Sequence, residues 1–209
     1  MNDTLIFLPI STIVNEQKSN LSNIKRKEQY INGIKNLLKY KNINKFDILL
    51  IDNTTIFIDN DINNLLPDNS IFISINKNKN GSINPGAGII ECWLNCQNIL
   101  KNYKWILHFE PRLNIINYNF FDLFLNDKQS IFKYGSIDKN HFFTGIFTIQ
   151  TDILINFINT IDINYMCNNH IGLEYNLFDF YKSNNIQFIE TKLLNIIWHD
   201  RMINKYINN

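Results

Sequence analysis

The sequence predicts an α/β fold of three layers, with helices covering both faces of a mostly parallel, mixed sheet. Three observations carry this reading. Short, continuous apolar runs at Thr4–Ile10, Phe46–Ile51, Ser70–Ile75 and Trp105–Phe109 have the length of strands covered on both faces. Segments with helical spacing lie between them, at Leu21–Tyr40 and Ile89–Leu100. Strands separated by helices close through right-handed crossovers into a parallel sheet.

Each element has its own justification. Thr4–Ile10 is closed by Ser11 and Thr12. In Leu21–Tyr40 the residues Ile24, Ile31, Ile34, Leu37 and Leu38 recur at helical spacing, and Lys25, Arg26, Lys27 and Glu28 occupy the rest of the surface. The run FDILLI (Phe46–Ile51) stops at Asp52 and Asn53. After Ser70–Ile75 comes a polar loop with three glycines, Asn76–Gly88, and then the helix Ile89–Leu100. Trp105–Phe109 runs into Glu110-Pro111-Arg112. Phe142–Gln150 reads as a strand, and Thr151-Asp152 caps a helix through Ile158. Leu173–Lys182 is helical, and Ile186–Glu190 and Asn195–Trp198 are extended. With no linker, charge run or repeat, residues 1–209 read as one domain.

Bulk properties narrow the function. With 45% hydrophobic and 19% charged residues, the 209-residue chain is suited to a folded core and not to disorder. A net charge of +1 lacks the basic excess that nucleic acid requires. Three cysteines, Cys92, Cys96 and Cys167, have no disulfide-framework or zinc-site spacing, which indicates reduced thiols packed in a core and a cytoplasmic setting. No apolar run reaches the ~18 residues of a membrane span; peripheral membrane contact stays open.

Ligands of open α/β sheets bind beyond the carboxyl ends of the strands. Attention therefore falls on Ser11, Thr12, Asp52, Asn53, Asn76 and His108–Arg112. In the loop before the second long helix, Gly81, Gly86 and Gly88 permit close backbone approach, and the helix start suits a phosphate; a plain loop-to-helix turn has the same composition. Glu91 is either a favourable helix-start charge or a partner for a sugar hydroxyl. Glu110 and Arg112, flanking a proline, either aim a carboxylate and a guanidinium into one cleft or fix the turn by pairing. Glu174 opens a helix, as a cap or as a carboxylate that accepts a proton from a bound alcohol. His199 and Asp200 are either surface groups or contacts for phosphate or metal.

Taken in order, Lys25–Tyr30, Asp52-Asn53, Asn80–Glu91, Trp105–Arg112, FFTGIF (Phe142–Phe147) and GLEYNLFDFYKSNNIQFIE (Gly172–Glu190) resemble the nucleotide-sugar glycosyltransferases of GT-A fold. The likeness is to the small viral and bacterial lipopolysaccharide- or capsule-type enzymes, and it spans nearly the whole chain. It implies a Rossmann-like nucleotide-binding sheet and transfer of a hexosyl group from a nucleoside-diphosphate sugar to a glycan hydroxyl. It further implies that Ser11, Arg26, Asp52, Asn53, Asn80, Gly86, Gly88, Glu91, His108, Glu110 and Arg112 form the donor site. Thr144 and Gly145 then lie on the acceptor side, and Glu174 is the general base of an inverting reaction.

Such enzymes commonly hold Mn2+ or Mg2+ through Asp-x-Asp at the end of the fourth strand, where this chain has Glu110-Pro111-Arg112. Glu110 and His199 are the metal candidates, and Arg112 is an alternative source of positive charge. The literal Asp59-Asn60-Asp61 precedes the third strand. A non-catalytic nucleotide-sugar- or glycan-binding module and a sugar nucleotidyltransferase are the competing readings; the latter usually needs a glycine-rich loop where Pro9–Thr12 stands.

Overall fold

A computed structural model describes residues 2–13, 20–76, 78–200 and 205–208. The first half alternates as expected: β1 (Thr4–Ile10), α1 (Asn20–Leu37), β2 (Asp47–Asp52), a short α2 (Asn60–Asn63), β3 (Ile71–Ser74), α3 (Pro85–Leu100) and β4 (Trp105–Phe109). The second half is denser: β5 (Asn114–Ile115), α4 (Asn119–Asp127), β6 (Ile131–Tyr134), β7 (Phe142–Gln150), α5 (Thr151–Thr160), α6 (Ile163–Asn168), α7 (Leu173–Ser183), β8 (Ile189–Glu190), β9 (Ile196–Asp200) and β10 (Lys205–Asn208).

The main sheet has seven strands in the order β3-β2-β1-β4-β7-β6-β8. β1, β2, β3 and β4 are mutually parallel, whereas β7 runs antiparallel to both β4 and β6. The sheet is thus mixed and mostly parallel, as predicted. A small second sheet, β10-β9-β5, is antiparallel.

Alternation along the strands sends side chains to two cores. On one face Leu5, Phe7, Leu49, Ile51 and Ile106 pack under α3, α5, α6 and α7, with Trp93 at the centre. On the other, Ile6, Leu8, Ile48, Leu50 and Leu107 meet Tyr30, Ile34 and Leu37 of α1 and Phe120, Phe121 and Phe124 of α4. β1 is buried at every position, which is why its sequence shows no polar alternation. Cys92, Cys96 and Cys167 are buried free thiols, and burial pushes the Cys96 thiol up to about 12.

Helix α3 begins four residues before its apolar stripe. Asn84 caps it by accepting from the backbone N–H groups of Gly86 (3.0 Å) and Ala87 (3.4 Å), and Pro85 takes the first position. The same Asn84 donates through Nδ2 to the carbonyls of Met166 (3.3 Å) and Ile171 (2.8 Å). One buried amide therefore joins the start of α3 to the turn that leads into α7.

Pairing of β7 with β6 is irregular. Ile131 faces Thr148 and Lys133 faces Phe143, so residues 144–147 pass opposite Phe132 alone. Such a bulge bends a strand and re-aims its side chains. Here it lies where β7 passes the exit of β4.

Candidate active site

The exits of β1, β2 and β4 and the start of the reversed β7 lie along one edge of the sheet. The loops after β1 and β2 are tied together there. Ser11 Oγ donates to Asn53 Oδ1 (2.7 Å), and Thr12 Oγ1 donates to Asp52 Oδ2 (2.5 Å). The other Asp52 oxygen accepts from the N–H (2.7 Å) and hydroxyl (2.6 Å) of Thr54. Asp52 is fully buried, and its bonds to Thr12 and Thr54 hold both loops in place. Asn53 Nδ2 donates to Asn78 Oδ1 (3.1 Å), extending the network to the loop before α3.

That loop packs directly on the helix. A Cβ on Gly88 would stand 2.8 Å from the Cα of Gly81, and one on Gly86 would stand 2.8 Å from both Cβ and N of Leu173. The lack of side chains at these positions is thus already accounted for by backbone packing, of the loop on α3 and of α3 on the start of α7. Glu91 faces the same loop: its Oε1 accepts from Asn80 Nδ2 (2.8 Å) and Asn80 N–H (3.3 Å), and its Oε2 is buried with no hydrogen-bond partner among the described residues.

At the end of β4, His108 and Glu110 part company. His108 is fully enclosed, stacked on Phe147 (centroids 4.8 Å apart) and Phe7 (5.9 Å), with the edge of Trp93 at 5.5 Å. Neither ring nitrogen has a hydrogen-bond partner among the described residues, and burial lowers its pKa to about 4 despite the nearby Glu110 carboxylate. It is a neutral core residue beneath the edge. Glu110 is outside the core and pairs with Arg112 (Oε2 to Nη2, 2.9 Å). Burial opposes ionisation of Glu110, but the guanidinium groups of Arg112 and Arg26 outweigh it and hold the carboxyl below its ordinary range.

Arg26 joins this group from α1. Its Nε donates to the Tyr30 hydroxyl (3.1 Å), which also accepts from the Ser11 N–H (2.9 Å). Two guanidinium groups, one carboxylate and the β1 exit therefore form one cluster, with Tyr30 as a connecting residue that the sequence did not single out. Gly33, also unremarked there, seats the β4 exit: a Cβ would lie 1.8 Å from Pro111 O and 2.9 Å from Leu113 O. A glycine within a helix signals such contact only once the partner is known.

The acceptor-side candidates adjoin this cluster. The Glu110 N–H donates to the Gly145 carbonyl (2.8 Å), and Thr144 Oγ1 donates to Glu174 Oε1 (3.2 Å). Glu174, in the first turn of α7, thus sits one strand away from the Glu110–Arg112 pair.

A divalent cation does not fit the β4 exit. Mn2+ or Mg2+ takes several oxygen ligands, whereas the carboxylate at this exit, Glu110, is bound to Arg112. Among the described residues no group of three or more His, Cys, Asp or Glu side chains is placed to hold a metal. The His199 side chain lies outside the described residues. Asp59 and Asp61 pair with Lys27 (2.8 and 2.6 Å), and Asp59 caps α2. Two hollows, of about 320 Å³ beside α4 and about 310 Å³ beside α2, are lined by none of the predicted site residues. Among the described residues no helix is long and apolar enough to cross a membrane.

No protein-family model matches the chain. No curated protein matches it either. Solved structures do. A protein assigned as a nucleotide-diphospho-sugar transferase, from Desulfovibrio desulfuricans G20, superimposes with a TM-score of 0.57 at 11% identity, over 91% of this chain and 80% of that one. A cytidylyltransferase from Leptospira borgpetersenii gives 0.48 at 12% identity, over 93% and 78%. Core-mannan synthase A from Aspergillus fumigatus, in a Mn/GDP form, gives 0.47 at 12% identity, over 85% and 66%. The chain has the GT-A-like fold of the nucleotide-diphospho-sugar transferases.

Proposed function

We propose that this protein is a glycosyltransferase that moves a sugar from a nucleoside-diphosphate sugar to a hydroxyl of a glycan or similar acceptor, with inversion. The observation that carries this reading is the juxtaposition across β4 and β7. Glu110, paired with Arg112, bonds the Gly145 backbone, and the adjacent Thr144 bonds Glu174. A guanidinium-bearing cluster and the Glu174 carboxylate are thereby held one strand apart, an arrangement that suits displacement at an anomeric carbon.

Ser11, Asn53, Asn80 and Glu91 border the donor side, with Asp52, Gly86, Gly88 and His108 shaping it from below. Arg26 and Arg112 face the diphosphate, and fixed positive charge there stabilises the leaving group in a preorganised way. Thr144 and Gly145 border the acceptor. Glu174 takes the proton of the acceptor hydroxyl as its oxygen forms the new bond to the anomeric carbon. The bond from that carbon to the diphosphate oxygen breaks, and its electron pair leaves with the nucleoside diphosphate. A single displacement inverts the configuration. No step is routed through a metal ion.

The test is a panel of nucleotide sugars, with and without manganese, followed by nucleoside diphosphate release, melting temperature and the anomeric NMR signal of the product. Transfer is expected with inversion, and Glu174→Gln is expected to lower turnover by at least ~10²-fold. Full activity in Glu174→Gln removes the base assignment. Pyrophosphate release in place of nucleoside diphosphate assigns the chain to nucleotidyl transfer instead, and no response to any donor assigns it to a binding module.

A further inference from the structure

A second feature adjoins Glu174 and has no part in the scheme above. The loop between β6 and β7 brings His141 against Tyr175, with ring centroids 4.8 Å apart and planes inclined by 35°. Tyr175 is 45% exposed although it is a large aromatic residue, and His141 is partly exposed. The imidazole is held from three directions. Gly135 lies beneath it, since a Cβ there would stand 2.3 Å from Nε2. Asn140 Oδ1 is 2.7 Å from its Nδ1, and Tyr175 covers one face. A tyrosine alone at the surface is ordinary; one backed by a ring fixed in this way is a preformed aromatic platform.

The platform is next to the proposed base. The point where a Cβ of Gly172 would lie is 2.4 Å from Glu174 Oε2 and 3.7 Å from Tyr175 Cδ2, so carboxylate and ring edge share one small region. On the other side, His141 stands immediately before β7, three residues ahead of Thr144, whose hydroxyl bonds Glu174. The neighbouring cation, Lys139, is occupied by Glu190 (2.8 Å) and by the Tyr134 ring (4.9 Å).

We infer that Tyr175, backed by His141, is the stacking surface for the acceptor, and that the acceptor is a pyranose. A pyranose has one face of C–H groups and a rim of hydroxyls. The C–H face meets the aromatic ring, and a rim hydroxyl reaches the Glu174 carboxylate beside it. A linear alcohol offers no such face, and an anionic acceptor would meet Glu174 as a like charge. As an acceptor site the inference rests on the transferase reading; as a sugar-binding platform it stands on the geometry alone.

Saturation-transfer NMR with a set of methyl α- and β-hexopyranosides, in the absence of any donor, tests it. The wild type is expected to saturate the ring C–H protons of at least one glycoside. Tyr175→Ala is expected to weaken that binding about fivefold to tenfold, His141→Ala by less, and Tyr175→Phe little. Unchanged melting temperatures would establish that the variants fold. No glycoside binding by the wild type, or equal binding by folded Tyr175→Ala, overturns the inference. Diphosphate release from sugar nucleotides reports separately on the transferase reading. If it persists while Tyr175 proves neutral, only the platform is lost. If it is absent while Tyr175 binds glycosides, only the transfer is lost.

Discussion

Replacing Gly33 by alanine tests how the β4 exit is held. In an exposed helix interior the change stabilises by ~1 kcal/mol through helix propensity. At Gly33 the added Cβ would stand 1.8 Å from Pro111 O, 2.7 Å from Pro111 C and 2.9 Å from Leu113 O, all backbone atoms. Even the short C–H···O contacts between strands lie at ~3.3 Å, so Pro111 must retreat by roughly 1.5 Å. Helix α1 does not yield easily, because Tyr30, Ile34 and Leu37 are buried to 2% exposure or less. Overpacking of this kind costs ~1–3 kcal/mol, and a clash with backbone belongs at the upper end. The net loss is about 2 kcal/mol, or ~4–8 °C in melting temperature for a chain of this size.

The displaced segment carries Glu110 and Arg112, and a misplacement of ~1 Å near reacting groups costs ~10²-fold in rate. Urea unfolding and nucleoside diphosphate release would be measured side by side. Asn32→Ala, on the exposed side of the same helix, serves as the control that shows the propensity gain alone. If Gly33→Ala unfolds at the same or higher urea concentration than wild type, the reasoning about this seat is refuted.

Three further outcomes are expected. His108 has a folded pKa of about 4 against an ordinary 6.5, so between those values the unfolded chain binds a proton that the native protein does not. Its contribution is present above pH 6.5 and is lost as the pH falls toward 4, by about 3 kcal/mol; His108→Phe, keeping the stack on Phe147, should flatten a pH–stability curve in this window. Arg112→Ala leaves the depressed Glu110 carboxyl without its partner, and carboxyl NMR titration should show that pKa rising, together with a loss of diphosphate release of ~10²-fold or more. Gly86→Ala forces a Cβ to 2.8 Å from the Leu173 backbone nitrogen and should lower turnover more than donor affinity, because the start of α7 carries Glu174; equal kcat in the variant would disconnect the two helices.

The parallel half of the sheet was legible because each of its strands is covered on both faces and so appears as an unbroken apolar run. β1, β4 and β7 fall on the predicted residues, but the expected Thr151-Asp152 cap does not form: Gln150 takes the cap position without a side-chain hydrogen bond, and Thr151 is the first residue of α5. The region between β4 and β7 was not legible. β6 is four residues long, IFKY, with two of them half-exposed, and its pairing depends on a bulge in another strand. The start of α3 was missed by four residues although Asn84-Pro85 is a capping signal, because the apolar stripe begins later.

Site residues divided on the same physical ground. Glu110, Arg112, Thr144 and Glu174 come together as linear order at strand ends suggests. His108 follows the alternation of β4 and turns inward, so its polar side chain misled by type where its parity pointed to the core. Tyr30 and Gly33 act through partners some twenty to eighty residues away, and no local pattern encodes such partners.

The reversed direction of β7 has an evolutionary corollary. The turn beside the proposed acceptor residues is the one before this strand, residues 135–141, while the turns that carry the proposed donor residues follow β1, β2, β3 and β4. The two sides of the proposed site are thus built from segments far apart in sequence and joined through the pairing of β4 with β7. On the proposed transferase reading, exchange of that one hairpin tip would alter the acceptor side and leave the turns of the donor side untouched.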